Sequence, residues 1–389
     1  MTPHERGIIH LNFSSFMASV EESSSPELKG VPFVIADPQK SRAIVLDMSP
    51  KAWAEGIRKG MPLRIAKKIV RPLTVVPPNA TLYSTASSRI SEISGHYSPF
   101  TEVRSGGHIF IDISGTRRLF GHMQDTAARI KNKCQKQLGL DPATSVSGNK
   151  TVSKVASRVV SPRGFASIPN GDESSFMYPQ SISLLPGIGQ KMSERLTAYG
   201  INIMGDLSEI NPSHLTRVFG KVSLRLRDRS MGIDNDPVFW KPASELSISS
   251  SFILSDDTND PCKLNTVLLI LAEDAGLTLR SSCLSTRKVI LNTLYSDGQT
   301  FSISRTLSTS IFSDAEIYTS SLPLLEKARM RRIRIREMTI VLREIADSLF
   351  QMNLFEPQPG KLQQTLDRLR TDSGVRILQR ASRLQLEQQ

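Results

Sequence analysis

The stretch IIHLNFSSFMASVEE, Ile8 to Glu22, runs from an apolar strand-like segment through a polar turn into a helix-like segment. Acidic metal ligands are commonly set at a junction of that kind. Here it reads Asn12, Phe13, Ser14 and Ser15, with no carboxylate among them. Neutral amide and hydroxyl oxygens are weak ligands for a hard divalent ion, so these residue types argue against metal chemistry at this point.

Three other stretches carry binding chemistry. In LPGIGQKMSERLTAYGI, Leu185 to Ile201, Gly187 and Gly189 lack a Cβ and let the backbone turn tightly against a phosphate. A helix starting there turns its free N–H groups and its dipole toward an anion, and Lys191 adds charge. The continuation into GINIMGDLSEI favours a helix-hairpin-helix, which grips a nucleic-acid backbone without reading sequence, over an ordinary Gly-Pro helix turn. In KARMRRIRIREMTIVLREI, Arg332, Arg334 and Arg336 alternate with Ile333 and Ile335, the pattern of a strand with its arginines on one face. With Arg287, Lys288 and Arg305 they form either a row that follows a phosphodiester backbone or a solvated strand face. Finally, QMNLF offers Gln351 for polar contacts and Leu354 and Phe355 for a small pocket on a partner, or else packs on its own domain. Leu362, Leu366 and Leu369 make a helical stripe beyond it, read as a core or docking face.

These motifs need a frame to position them. A chain of 389 residues holds roughly two to four domains. A formal charge of +12 and a pI near 9.7 favour a polyanionic partner, nucleic acid being the commonest. Cys134, Cys262 and Cys283 are widely spaced and give neither a metal spacing nor a disulfide framework. The run LNTVLLILAEDAGLTL is broken by Glu273 and Asp274 and is too short to span a bilayer, and MTPHERGIIH has no signal layout. The expected setting is soluble and cytoplasmic, with no membrane partner.

Strand patterns in GIIHLNF, VPFVIAD, RAIVLDMS and GGHIFIDISG alternate with helical spacing in PLRIAKKIV, TLYSTASSRISEISGHY, MQDTAARIKNKCQKQLG and NKTVSKVASRVV. This order predicts a ferredoxin-like α+β layer with an inserted subdomain. Short helices follow, then a linker-like DNDPVFWKPASEL, then a second α+β unit. In that unit the helix around AEIYTSSLPLLEKA is expected to be interrupted at Pro323.

In this order the pieces resemble a Y-family, or translesion, DNA polymerase over nearly the whole chain. IIHLNFSSFMASVEE resembles the family's opening strand and helix, and GIRKGMPLRIAKKI its fingers. LPGIGQKMSERL resembles its thumb hairpin, DDTNDPCKLN with TRKVILNTLYSDGQTFSISRTL its little finger, and QMNLF its sliding-clamp peptide. The resemblance implies an α+β, multidomain right-hand architecture: ferredoxin-like palm, small fingers, helix-hairpin-helix thumb and α+β little finger. The implied boundaries are palm 1–22 and 80–165, fingers 23–79, thumb 166–235, linker 236–245, little finger 246–347 and a clamp-binding tail 348–389.

The family's metal-binding carboxylates match Asn12, Ser14, Gly107 and His108, which makes these degenerate catalytic positions. Asp112 remains on that strand, at a position that is not a ligand position in the family. Its triphosphate ligands match Pro50 and Trp53, and its sugar-screening aromatic matches Met17. Lys150 is either a nucleotide-binding remnant or a surface lysine.

The resemblance therefore implies a non-catalytic scaffold similar to the polymerase-like accessory subunit of the bacterial mutasome. It would bind primer-template DNA through Gly187, Gly189, Lys191, Arg287, Lys288, Arg305, Arg332, Arg334 and Arg336. It would dock on the sliding clamp and support a partner polymerase, with no cofactor expected. Two alternatives stand beside it: an error-prone polymerase with an unusual Mg²⁺ site, and a general damaged-DNA-binding protein.

Overall fold

The structure, a computed structural model, describes residues 6–38, 42–104, 106–238, 247–347 and 367. The chain divides into two compact units, Met1–Trp240 and Lys241–Gln389.

The first unit begins with β1 (Ile8–Asn12) and α1 (Phe16–Ser24). A small layer follows: β2 (Phe33–Ile35), β3 (Asp47–Met48), α2 (Pro50–Ala54), α3 (Leu63–Ile69) and β4 (Thr74–Val76). The chain then adds α4 (Ala80–Gly95), β5 (Thr101–Arg104), β6 (His108–Asp112), α5 (Arg117–Phe120), α6 (Met123–Leu138), β7 (Ala143–Ser147), α7 (Lys150–Val159) and β8 (Phe165–Ser167). Short helices complete the unit: α8 (Glu173–Met177), α9 (Gln190–Ala198), α10 (Met204–Glu209), α11 (Pro212–Phe219) and α12 (Val222–Ser230).

The main sheet has the order β5-β6-β1-β7-β8, with β1 antiparallel to both neighbours. Side chains alternate along a strand, so the sequence of β1 fixes two different faces. Ile9 and Leu11 join Ile109, Ile111, Ile130 and Cys134 in a core beneath α4 and α6. His10 and Asn12 turn to the opposite face, which α7 covers. All five β1 residues are buried because both faces are covered. RAIVLDMS forms less strand than its composition suggests: Asp47 and Met48 pair with Ile35 and Val34, and Ile44 adds one isolated bridge to Pro62.

The second unit is a sheet of order β11-β10-β12-β9, built from β9 (Ile248–Thr258), β10 (Leu284–Tyr295), β11 (Thr300–Ile311) and β12 (Ile335–Asp347). Helices α13 (Pro261–Ser281) and α14 (Asp314–Arg329) pack on one face over Val289, Leu291, Met338 and Ile340. Contrary to expectation, α14 runs unbroken through Pro323. Ile317 and Ser321 before the proline and Leu324 and Leu325 after it are all buried, so packing holds both halves on one axis.

The division between the units falls inside the linker-like segment, and its described residues dock on the first unit. Val238 packs against Ile8 and Phe110, and the carbonyls of Asp234 and Asp236 accept from Arg6.

Candidate active site and nucleic-acid interface

The four positions singled out in the palm fall together at one end of the sheet. Asn12 and His108 are direct cross-strand partners, and the Phe13 amide donates to the Gly107 carbonyl at 2.9 Å. The Ser14 hydroxyl is paired with that of Ser161 at 2.6 Å. Gly107 sits at φ +80°, and a Cβ there would lie 2.7 Å from the Phe16 Cβ and 2.9 Å from the Phe13 carbonyl oxygen. Its backbone therefore excludes a side chain on two independent grounds. Asp112 stands at the far end of β6, where its Oδ1 accepts from the Ser114 amide at 2.9 Å.

Around this point the charge is predominantly positive. Lys150, Lys154 and Arg158 recur every fourth residue along α7 and so share one stripe. The Phe110 ring lies 5.2 Å from the Lys150 Nζ and 6.0 Å from that of Lys154. Lys150 is buried and donates to Glu102 Oε2 at 2.6 Å and to the Pro237 carbonyl at 3.1 Å. The surface-lysine reading does not fit it: Lys150 is buried, and its charge is matched inside the fold. Glu102 also accepts from Arg104.

His10 is fully buried, with Nδ1 2.6 Å from the Ser157 hydroxyl, and its ring stacks on His108 at 5.3 Å between centroids. Burial first, then the charges of His108, Lys154 and Arg158, hold His10 well below the usual histidine range. Burial, reinforced by Lys154, Arg158 and Lys59, brings His108 down to about 4. Burial and then the neighbouring Arg158, Arg104 and Lys150 lower Lys154 to about 8, with Glu102 opposing.

The first turn of α1 is met from within the fold. The Asp47 carboxylate accepts from the Met17 amide at 2.9 Å and the Ala18 amide at 3.4 Å, and pairs with Lys59 at 3.0 Å. It is 1% exposed, so these first-turn amides are met by a carboxylate of the chain itself. Pro50 opens α2, and Trp53 is exposed with the Arg58 guanidinium 4.9 Å from its ring.

Gly187 and Gly189 play different parts in the hairpin. Gly187 sits at φ +101°, with the Leu226 side chain 3.3 Å from its notional Cβ. Gly189 has an ordinary φ of −86° and serves as the N-cap of α9, with open space where a side chain would project. Lys191 is exposed in the first turn of that helix. The element before the turn is one turn of 3-10 helix, Ile182–Leu184, rather than a full helix.

In the second unit the expected arginine row is not on one strand face. β12 begins at Ile335, and Arg332 lies before it in the left-handed region at φ +57°. Arg332 and Arg334 are exposed, whereas Arg336 is held by Asp257 at 2.9 Å and reaches the Ser296 carbonyl at 3.4 Å. Arg287 falls at the bulge in β10, exposed, and Lys288 opposes Arg343 across the sheet, 3.7 Å from Glu344. Arg305 pairs with Val289 and is exposed on β11. The face away from the helices presents Ser249, Ser251, Asn292, Ser302, Ser304 and Thr339, a small polar surface that sequence reading passed over. Gln351, Leu354 and Phe355 lie outside the described residues, as do Leu362, Leu366 and Leu369.

Sequence reading also missed His10, Glu102, Lys154 and Arg158. The fourfold spacing of the cations was visible in NKTVSKVASR, but the strand they face is distant in the chain.

Comparison with known proteins matches residues 11–158 to the impB/mucB/samB family, residues 245–354 to that family's C-terminal domain and residues 183–234 to the thumb domain of DNA polymerase iota. A DNA polymerase IV of Dehalococcoides mccartyi (strain 195) is 30% identical, with 82% of each chain covered. DNA polymerase IV 2 of Methanosarcina mazei is 31% identical, over 84% of this chain and 87% of the relative. Among solved structures, a chimeric Y-family DNA polymerase superposes with a TM-score of 0.76 at 23% identity, covering 87% of this chain and 98% of the other. The DinB protein of Sulfolobus solfataricus gives 0.62 at 23% identity with the same coverage. Among the described residues no group of three or more His, Cys, Asp or Glu side chains could hold a metal ion, and no helix is long and apolar enough to cross a membrane.

Proposed function

Since the chain belongs to the Y family of DNA polymerases, we propose that it is a non-catalytic member, a DNA-binding scaffold in damage-tolerant synthesis. It would hold DNA with Lys191 and the exposed arginines and dock on the sliding clamp through Gln351, Leu354 and Phe355. The observation that carries this reading is the Asn12–His108 pair, set among Lys154, Arg158 and Arg104.

A two-metal site needs converging carboxylates. Here one position is an amide, one a hydroxyl bound to Ser161, one a glycine without room for a side chain, and one an imidazole in a cationic field. These residues do not fit a magnesium pair, and no reaction step is assigned to one. Pro50, Trp53 and the Asp47-capped amides likewise leave the α1–α2 side with little with which to hold a triphosphate.

A second reading, an active polymerase of unusual metal arrangement, is favoured by relatives named DNA polymerase IV. His108 and Asp112 would have to supply its ligands, yet they stand at opposite ends of β6, about 13 Å apart at strand rise.

Primer extension with Mg²⁺ or Mn²⁺ separates the two. The scaffold reading expects no incorporation, and template-dependent incorporation that copurifies with the protein through successive columns would overturn it. Clamp pull-down with Leu354→Ala and Phe355→Ala tests the docking arm. Recovery equal to that of the unaltered chain would favour a general damaged-DNA-binding protein.

A further inference from the structure

We propose that the α7-covered face of the palm is an oxyanion site, holding a phosphate group on Lys154 and Arg158 without any metal. The inference deepens the scaffold reading and rests on it: the centre that lost its carboxylates has become a place for the opposite charge.

The geometry begins with how the charges are matched. Glu102, buried on this face, is engaged by Lys150 at 2.6 Å and by Arg104. Lys154, the next cation on the stripe, has no ion pair or hydrogen bond among the described residues, only the Phe110 ring at 6.0 Å. Arg158 gives one N–H to the Leu184 carbonyl at 2.7 Å and has no carboxylate partner among those residues. Beneath them, His10 Nε2 and His108 Nδ1 are buried with no hydrogen-bond partner. One turn beyond Arg158, the paired hydroxyls of Ser14 and Ser161 lie 2.6 Å apart.

A divalent cation meets only repulsion from this stripe. A phosphate offers several oxygens to donors at successive heights along a helix and suits a guanidinium in particular. Bound there, it would also offset the burial and the neighbouring cations that together draw Lys154 down to about 8. The phosphate has two possible sources, a DNA backbone or a free polyphosphate tail, and the chemistry is shared.

The test is calorimetric titration of the full chain with inorganic tripolyphosphate in EDTA, repeated with Mg²⁺. The expected result is binding in EDTA that Mg²⁺ weakens, because the ion covers the phosphates. Lys154→Gln and Arg158→Gln should each reduce affinity about tenfold or more, and Lys154→Arg should largely retain it. Competition with primer-template DNA, read by anisotropy, identifies the source: displacement of DNA by tripolyphosphate points to the backbone, and independent binding to a free polyphosphate. Absence of binding in EDTA, binding only when Mg²⁺ is supplied, or equal loss in Lys154→Gln and Lys154→Arg would each overturn the proposal. Primer extension is a separate readout, so failure of the scaffold reading is distinguishable from failure of this one.

Discussion

His108 stacks on His10 with ring centroids 5.3 Å apart and an interplanar angle of 19°. Both rings are kept neutral by burial and by the cations above them. A base whose folded pKa lies below its unfolded value takes up its proton in the unfolded chain first. Its contribution to stability is therefore complete above about 6.5 and is lost as pH falls toward about 4. For His108, discounted for partial exposure, the loss is on the order of 2 kcal/mol. His108→Asn should flatten the decline in chemical-denaturation midpoint between those pH values, and an unchanged slope would contradict the assignment.

Lys150 is expected to act on stability rather than on ligand affinity. Removing one partner of a buried pair strands the other, at a cost of about 3 kcal/mol. Lys150→Met should show that loss by urea unfolding. Lys150→Met/Glu102→Gln should recover part of it, since no buried carboxylate is then left short of a partner.

Carboxylates introduced at these positions should not confer template-dependent incorporation. Gly107→Asp is predicted to destabilise the fold by about 3 kcal/mol or more, through left-handed strain and contact with Phe13 and Phe16. Asn12→Asp with His108→Glu, which leaves Gly107 in place, should fold yet give no template-dependent incorporation. Incorporation by that pair would show that the glycine is no obstacle.

In the hairpin, the two glycines should respond differently. Gly187→Ala, at φ +101°, should cost about 1–2 kcal/mol and weaken DNA binding. Gly189→Ala should be nearly neutral in stability. Lys191→Ala should lower affinity alike on every DNA sequence and make the salt slope shallower by about 1. A loss confined to one sequence would refute a backbone grip.

The arginines of the second unit should separate in the same assay. Arg334→Ala, exposed before the strand, should reduce DNA affinity with folding unchanged. Arg336→Ala should act mainly by releasing Asp257 and so lower the thermal midpoint. The reverse pattern would show that Arg336 faces the nucleic acid.

Much of this architecture is written in local pattern. The alternation in GIIHLNF and KVILNTLYS and the helical spacing in TLYSTASSRISEISG set element types, because period and turn chemistry are properties of neighbouring residues. What escaped was what depends on distant residues. Pro323 reads as a break until the burial of Leu324 and Leu325 is known. Arg332 alternates correctly with Ile333, yet its backbone turns left-handed before the strand begins. The absence of carboxylates at Asn12, Ser14, Gly107 and His108 was legible by residue type, whereas the charge of α7 needed the sheet to bring Lys154 and Arg158 to His108.

Asp47 carries a last consequence. Its carboxylate rests on the Met17 and Ala18 amides and is anchored by Lys59. A helix end that brings its own counter-ion is saturated at every metabolite concentration. The seam between α1 and the small layer thus closes on charges that the chain itself supplies, with no bound anion needed to satisfy those amides.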